Sequence, residues 1–442
     1  MFKKYLEQLK DLFLFSLPLV AGQVGQMLYG TGDIMVAGRY SNEVVAALGI
    51  AAAMMGPFIM VGLSVTYAVG SITAQYIGAE EDNHEMIFTS HMMSLVLGVA
   101  LYFGLEIFIN YIHLLNFETK RELLIIQYLR IAGFSLIPML FFQVSKEYLQ
   151  AHLKTYFANA LIFVFLGINV FLNFIFMFGK WGFPEMGIEG AAYATTICRF
   201  LSAIVLFVYL LKFKKMEVRF NKILFKKIFK IGFPIGLGTF VEVLVFTTVT
   251  ILIGRMSTLA SASHNIVLNL ASLTFMLPLA MNSAAGVKVG IQYGRKDKTN
   301  VVLTSLAALT ISTICMICTA SCYFLIPTYI LRIFTTDTAL IEYASGLIVF
   351  VAYFQIPDGA QVTLWGVLRG VNTTKTPMLI TTLGNWLIGL PIGYYLAFHR
   401  GMEAKGLWAG LAIGLTCISF GLTALFFYRI KQLDQEFLSP SQ

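Results

Sequence analysis

The chain is poor in charge. Lys, Arg, Asp and Glu make up 12% of its 442 residues, against about 25% in an ordinary soluble domain, which argues against a water-soluble fold. Histidine is scarce as well. His84, His91, His113, His152, His264 and His399 are scattered and lack metal-ligand spacing. No P-loop or other Gly-rich phosphate motif occurs, which disfavours a primary ATP-driven pump. With no metal set and no nucleophile–base pair in view, neither an enzyme nor a cofactor is expected. Only five cysteines occur: Cys198, Cys315, Cys318, Cys322 and Cys417. Three of them form C-x2-C-x3-C, but the i, i+3, i+7 spacing puts them on one helix face without a nearby His or acid. They are expected to be small buried packing residues and not cluster ligands.

What the chain has is apolar length. Hydrophobic residues make up 58% of it and the mean hydropathy is +0.77. They fall in runs of roughly 20 or more, enough to cross a hydrocarbon core of about 30 Å. Runs such as LIFVFLGINVFLNFIFMF do not alternate, so a β-barrel is not expected. The expected fold is an all-α integral membrane protein with twelve spans, beginning at 11–37, dividing between 186–212 and 228–254, and ending at 404–430. The first span is read as retained, because its apolar run outlasts a signal-peptide core.

A net charge of +8 could suggest nucleic acid, but its distribution points elsewhere. With the amino terminus placed in the cytoplasm, inside segments hold 20 Lys and Arg and outside segments 8. Both termini are therefore expected to be cytoplasmic, and no nucleic-acid partner is expected. Lys146 and Arg369 count among the inside set, whereas Arg130, Arg199 and Lys288 fall within spans. Segment 212–230, KFKKMEVRFNKILFKKIFK, is the long basic connector, read as a linker lying on anionic lipid. It separates an amino-terminal six-helix lobe (1–211) from a carboxy-terminal one (231–442).

The lobes look like copies. At an offset of 216, Pro18 maps to Pro234, Gly22 to Gly238, Gly70 to Gly286, Gly78 to Gly294 and Gly190 to Gly406; at 219, Pro138 maps to Pro357 and Leu149 to Leu368. These matches fall on residues that fix backbone geometry. An even number of spans per copy makes the repeats parallel, two pseudo-symmetric bundles around a central cavity that move by rocking.

Asp33, Glu242 and Asp358 sit inside long apolar runs. A carboxylate at the bilayer centre costs about 2.5–3.5 kcal/mol on insertion scales, so each is either paired with a cation or used. Asp33 faces Val249 across the repeat and Glu242 faces Gln26, so the acids are placed asymmetrically. Pro357 and Gly359 flank Asp358 and are expected to break or kink the helix, freeing carbonyl oxygens. The alternative for Glu242 and Asp358 is an interhelical salt bridge, for example to Arg130 or Arg199. Glu106 and Lys288 are expected to snorkel to their span ends, and His264 to be a packing residue.

The stretches LPLVAGQVGQMLYGTGDIMVAGR, GSITAQYIGAEE, INVFLNFIFMFGKWGFPEMGIEGAAYATT, FPIGLGTFVEVLVF and IPDGAQVTLWGVLRGVNTTKTPMLITTLGNWLIGLPIGYYLAF follow one another in the order and spacing of a known family. The chain resembles the multidrug and toxic compound extrusion (MATE) family over nearly its whole length. It is most similar to the NorM-like branch, known for acids in helices 1, 7 and 10. The DinF-like branch carries a second acid in helix 5, where this chain has Asn173.

The resemblance implies a Na+- or H+-coupled antiporter in the inner (plasma) membrane that exports amphipathic, often cationic drugs by alternating access. Its expected partners are such small molecules and membrane lipid, and it is expected to act as a monomer. The family's amino-lobe cation site falls on Asp33, Asn169, Asn173 and Thr195. Carboxylate, amide and hydroxyl oxygens suit Na+, and a proton on Asp33 would serve in its place. Hydrogen bonding between helices is the other account of the two asparagines. Glu242 and Asp358 are the carboxy-lobe candidates for Na+, for a proton or for a cationic substrate, with Tyr353 as an oxygen donor near Asp358. Pro18 is the expected hinge of the first span. A lipid-linked oligosaccharide flippase of the same superfamily is the alternative, weakened because the spans hold mostly acids. The residues do not choose between Na+ and H+, nor name a substrate.

Overall fold

A computed structural model describes residues 2–81 and 84–438. Among these residues the regular structure is entirely helical. That follows from the apolar runs, because in hydrocarbon every backbone N–H and C=O needs a partner within its own segment. Among the described residues eleven helical segments are long and apolar enough to span, one of them, Thr119–Ala151, with a turn at Ser135. They are α1 (Phe2–Ala37), α2 (Asn42–Gly78), α3 (Met86–Asn110), α4 (Thr119–Ala151), α5 (Tyr156–Phe178), α6 (Gly187–Phe213), α7 (Lys222–Gly254), α8 (Thr258–Gly294), α9 (Lys298–Leu325), α10 (Thr338–Gly370) and α12 (Glu403–Leu438). The remaining expected span, at 377–398, is α11, and it is composite: Lys375–Leu383, a π-helical stretch Gly384–Gly389, then Leu390–Phe398. The widened turn lies where glycines bring two backbones together. A Cβ on Gly410 of α12 would stand 2.3 Å from the Gly393 Cα, and one on Gly414 2.8 Å from the Gly389 Cα. Small residues at such crossings let membrane helices approach closely.

Polar side chains mark several helix starts. Asp297 and Asp337 accept backbone N–H groups at the heads of α9 and α10, and Ser257 does so for α8. Asn221 caps α7 through bonds from the Ile223 and Leu224 amides, and its own amide donates to Glu85 at 2.5 Å. The connector expected at 212–230 is thus shorter: α6 runs to Phe213, irregular chain covers 214–221, and the helix resumes at Lys222.

Compactness divides the chain into two units. The amino-terminal unit comprises residues 21–73 and 81–236, and the carboxy-terminal unit comprises 1–20, 74–80 and 237–442. The long helices α1, α2 and α7 each carry residues of both, which a division read from loops alone does not anticipate. In the amino-terminal unit α4 and α6 pack on each other, α3 packs on α4, and α5 on α6. In the carboxy-terminal unit α10 is central, packed by α8, α9 and α12, with α11 on α12.

Several expectations for individual residues change. The helices run unbroken through Pro18 and through Pro357-Asp358-Gly359. Proline removes one intrahelical bond, but flanking turns continue, and Ser312 Oγ donates to the Gly359 carbonyl at 3.1 Å. Lys288 does not snorkel: it is buried and bonded to Asp11 at 2.6 Å, 5.1 Å from the Phe15 ring centre. Glu106 pairs with Arg130 at 3.9 Å. Lys146 and Arg369, counted as loop residues, are buried inside α4 and α10. Of the cysteines only Cys198 is buried; Cys318, Cys322 and Cys417 are exposed, as apolar residues facing lipid can be. His264 is a satisfied packing residue, held by Thr250 Oγ1 at 2.9 Å and by the Trp408 indole at 3.2 Å.

Candidate functional site

In the amino-terminal unit four expected residues meet. Asp33, on the last turns of α1, is 4% exposed. Asn173 Nδ2 donates to its Oδ1 at 2.5 Å and Thr195 Oγ1 to its Oδ2 at 3.0 Å. Asn169 Nδ2 donates to Thr195 Oγ1 at 3.1 Å, and Asn173 Nδ2 also reaches Asn169 Oδ1 at 3.3 Å. Helix periodicity creates this set. Asn169 and Asn173 are four apart on α5, so their amides share a face, and α6, packed on α5, brings Thr195. Asn173 Oδ1 is buried and has no hydrogen-bond partner. A carboxylate, an orphaned amide oxygen and a hydroxyl together form an oxygen-rich pocket of the kind hard cations prefer. Among the described residues no arginine lies within ion-pair distance of Asp33, although the Arg199 guanidinium in the same cavity acts on its charge.

A cavity of about 290 Å³ opens beside this cluster. Asp33, Gln26, Tyr29, Tyr128, Gln143, Arg199 and Ser202 supply its polar lining, and Met, Leu, Ile and Phe side chains most of the rest. Arg199, one turn beyond Thr195, donates to Ser135 Oγ at 2.7 Å, and Tyr29 donates to the Phe165 carbonyl at 3.2 Å. Positive and negative charge therefore share one apolar chamber, which suits amphipathic guests.

In the carboxy-terminal unit the arrangement is looser. Glu242 on α7 is half-buried and accepts from Gln361 Nε2 at 2.7 Å. Asp358, one turn before Gln361 on α10, is buried and within electrostatic reach of Glu242. Gln361 Oε1 and, nearly two turns away, Gln355 Oε1 are buried without partners, while Gln355 Nε2 donates to Thr274 Oγ1 at 2.6 Å. The indole N–H of Trp386, in the π-helical stretch of α11, donates to the Val241 carbonyl at 3.2 Å, one residue from Glu242. Tyr353 is not brought to this site. It is 66% exposed and, five residues before Asp358, lies about 140° around the helix from it.

Sequence reasoning missed Gln361, Gln143 and Arg199 as site residues. For Gln361 a signal existed: an amide three residues from a mid-span acid falls on the same helix face.

Twelve apolar helical segments with carboxylates and amides buried inside them define a polytopic α-helical membrane protein. The MatE family model matches it twice, at residues 18–175 and 234–395, and the chain belongs to this family. The two matches start 216 residues apart, the offset of the internal repeat. The chain is 30% identical to "Probable multidrug resistance protein NorM" of Mannheimia succiniciproducens, covering 99% of this chain and 97% of that protein. It is 29% identical to "Multidrug resistance protein MdtK" of Pectobacterium atrosepticum, covering 94% of each. Among solved structures it resembles a MATE protein in a bent conformation (TM-score 0.88, 19% identity, 99% of each chain). It also resembles the eukaryotic MATE transporter AtDTX14 (TM-score 0.87, 17% identity, 98% and 100% of the chains). These likenesses establish the fold.

Proposed function

We propose that this chain is a cation-coupled antiporter of the inner (plasma) membrane that exports amphipathic, often cationic compounds by alternating access, with Na+ or H+ as the coupling ion and both termini in the cytoplasm. The observation that carries the reading is Asp33: a carboxylate within a spanning segment, held by Asn173 and Thr195, beside an apolar cavity and with no arginine at ion-pair distance among the described residues. An intramembrane acid so placed is a functional group by default. The names of the NorM and MdtK relatives support export of several drugs, and the excess of Lys and Arg in the segments assigned inside supports the orientation. Burial of Lys146 and Arg369 leaves that excess intact.

Coupling requires that ion and drug prefer different states of one two-state protein. Binding of Na+ or H+ at Asp33 would then oppose drug retention in the adjoining cavity. Asn169, Asn173 and Thr195 supply the remaining oxygens, Glu242 and Asp358 with Gln361 form the corresponding polar site of the carboxy-terminal unit, and Pro18 is the hinge of α1. Ethidium efflux from everted vesicles, driven first by a Na+ gradient and then by a pH gradient, tests the reading and selects the ion. Absence of efflux under both gradients overturns it. Efflux impaired by Pro18→Ala would support the hinge, and unimpaired efflux would remove it.

A further inference from the structure

From Phe142 to Ala151 every residue of α4 is buried. A stretch buried all round is ordinarily apolar, yet this one contains Gln143, Lys146, Glu147 and Gln150. Gln143, Glu147 and Gln150 follow i, i+4, i+7 spacing and share one face. Gln143 Nε2 donates to Glu147 Oε1 at 2.9 Å, and Gln143 also lines the cavity that holds Asp33. The other carboxylate oxygen rests on α2 at Gly70, where an added Cβ would stand 2.3 Å from it. Gln143 Oε1, Gln150 Oε1 and, three residues beyond Gly70, Thr73 Oγ1 are buried polar atoms without partners.

The repeat supplies a second observation. Gly286, equivalent to Gly70, holds a buried charge of opposite sign: an added Cβ there would stand 2.3 Å from Arg369 Nη2. Arg369 comes from α10, the counterpart of α4, one turn on from the position equivalent to Glu147. Arginine does not release its proton in proteins, whereas a carboxyl exchanges one. The same cradle therefore holds a fixed charge in one unit and an exchangeable one in the other.

We propose that Glu147 is a proton-holding station of the amino-terminal unit, linked to the Asp33 cavity through Gln143. This rests on the antiport reading above and assigns it a proton. A proton arriving as hydronium bonds to the carboxylate and leaves water behind, and the carboxyl returns the proton to water on release. The ammonium of Lys146, buried beside it and acting on its charge, disfavours a second bare cation there but not a proton, which neutralises the carboxylate in place. The helices packed on this stretch offer few other titratable groups. On α3 these are His91, whose Nε2 lies 2.8 Å from Ser145 Oγ, Tyr102, and Glu106, paired with Arg130. On α6 they are Glu189, Tyr193, the buried Cys198, Arg199 bonded to Ser135, Tyr209 and the exposed Lys212. On α2, Glu43 is the sole carboxylate, no Lys, Arg or His occurs, and the tyrosines are Tyr76 and the buried Tyr67.

Two substitutions separate this role from packing. Glu147→Gln keeps the size and hydrogen bonding but cannot hold the proton; Glu147→Asp keeps the proton and shortens the side chain. In proteoliposomes with the full chain, pH-gradient-driven ethidium efflux should fall at least about tenfold in Glu147→Gln, the scale of a coupling between sites, and recover substantially in Glu147→Asp. Ethidium binding to either solubilised variant should stay close to the unsubstituted protein. Glu147→Gln working like the unsubstituted protein, the two variants failing equally, or loss of the folded species in both would overturn the proposal. If the unsubstituted protein itself shows no gradient-driven efflux, it is the antiport reading that fails.

Discussion

The two units are copies in sequence offset and helix order, but their acids are treated differently. In the amino-terminal unit Asp33 lies in a closed set of hydrogen bonds from α5 and α6, and the cavity beside it also holds Arg199. In the carboxy-terminal unit two acids, Glu242 and Asp358, lie near one another, Gln361 donates to Glu242, and the amide oxygens of Gln355 and Gln361 are left over. The cradle glycines show the same divergence, with Gly70 under Glu147 and Gly286 under Arg369. Duplication preserves the residues that set backbone geometry, while side chains inside that geometry are free to take different charges. A pseudo-symmetric frame can thus hold an asymmetric set of ionisable groups, as the proposed exchange of two species would use.

The comparison can be broken most directly at the acids. Asp33→Asn should abolish gradient-driven efflux, a loss of about a hundredfold or more at the upper end of coupling energies, with the folded protein intact by size-exclusion chromatography. Retained efflux would remove Asp33 from the mechanism. Asp358→Asn should cost about tenfold, because Glu242 remains beside it; a loss as large as that of Asp33→Asn would make the two units equals. Gly70→Ala and Gly286→Ala should each destabilise the protein by about 1–3 kcal/mol through overpacking, read as a lower Tm in detergent. Gly70→Ala should in addition alter efflux, because the displaced group is Glu147, whereas Gly286→Ala should change stability alone. Tyr353→Phe sits at the bottom of the scale: an exposed side chain is worth within about 0.5 kcal/mol, so efflux should change by no more than about twofold.

Much of the site was legible in the chain. Asn169 and Asn173 announce themselves by i, i+4 spacing, and their meeting with Asp33 and Thr195 followed from resemblance to a family and not from periodicity. Tyr353 shows where that reasoning stops, since nearness in sequence to Asp358 says nothing about which side of α10 faces inward. Lys146 and Arg369 count with the inside segments in the sequence, and Glu147 gives no signal there, because hydropathy reports how apolar a segment is and not what covers it.

The sequence by itself determined that the protein crosses a membrane about twelve times, is internally duplicated and keeps three acids inside its apolar segments. Those properties follow from composition and local spacing, since the hydrocarbon forces backbone bonds to close within each helix. The tertiary structure alone decided that Gln361 reaches Glu242, that α11 widens into a π-helical stretch against the glycines of α12, and that opposite charges lie in equivalent glycine cradles. Each of these depends on which faces of helices distant in the chain are pressed together, and that is fixed by packing between segments and not by the order of residues within one.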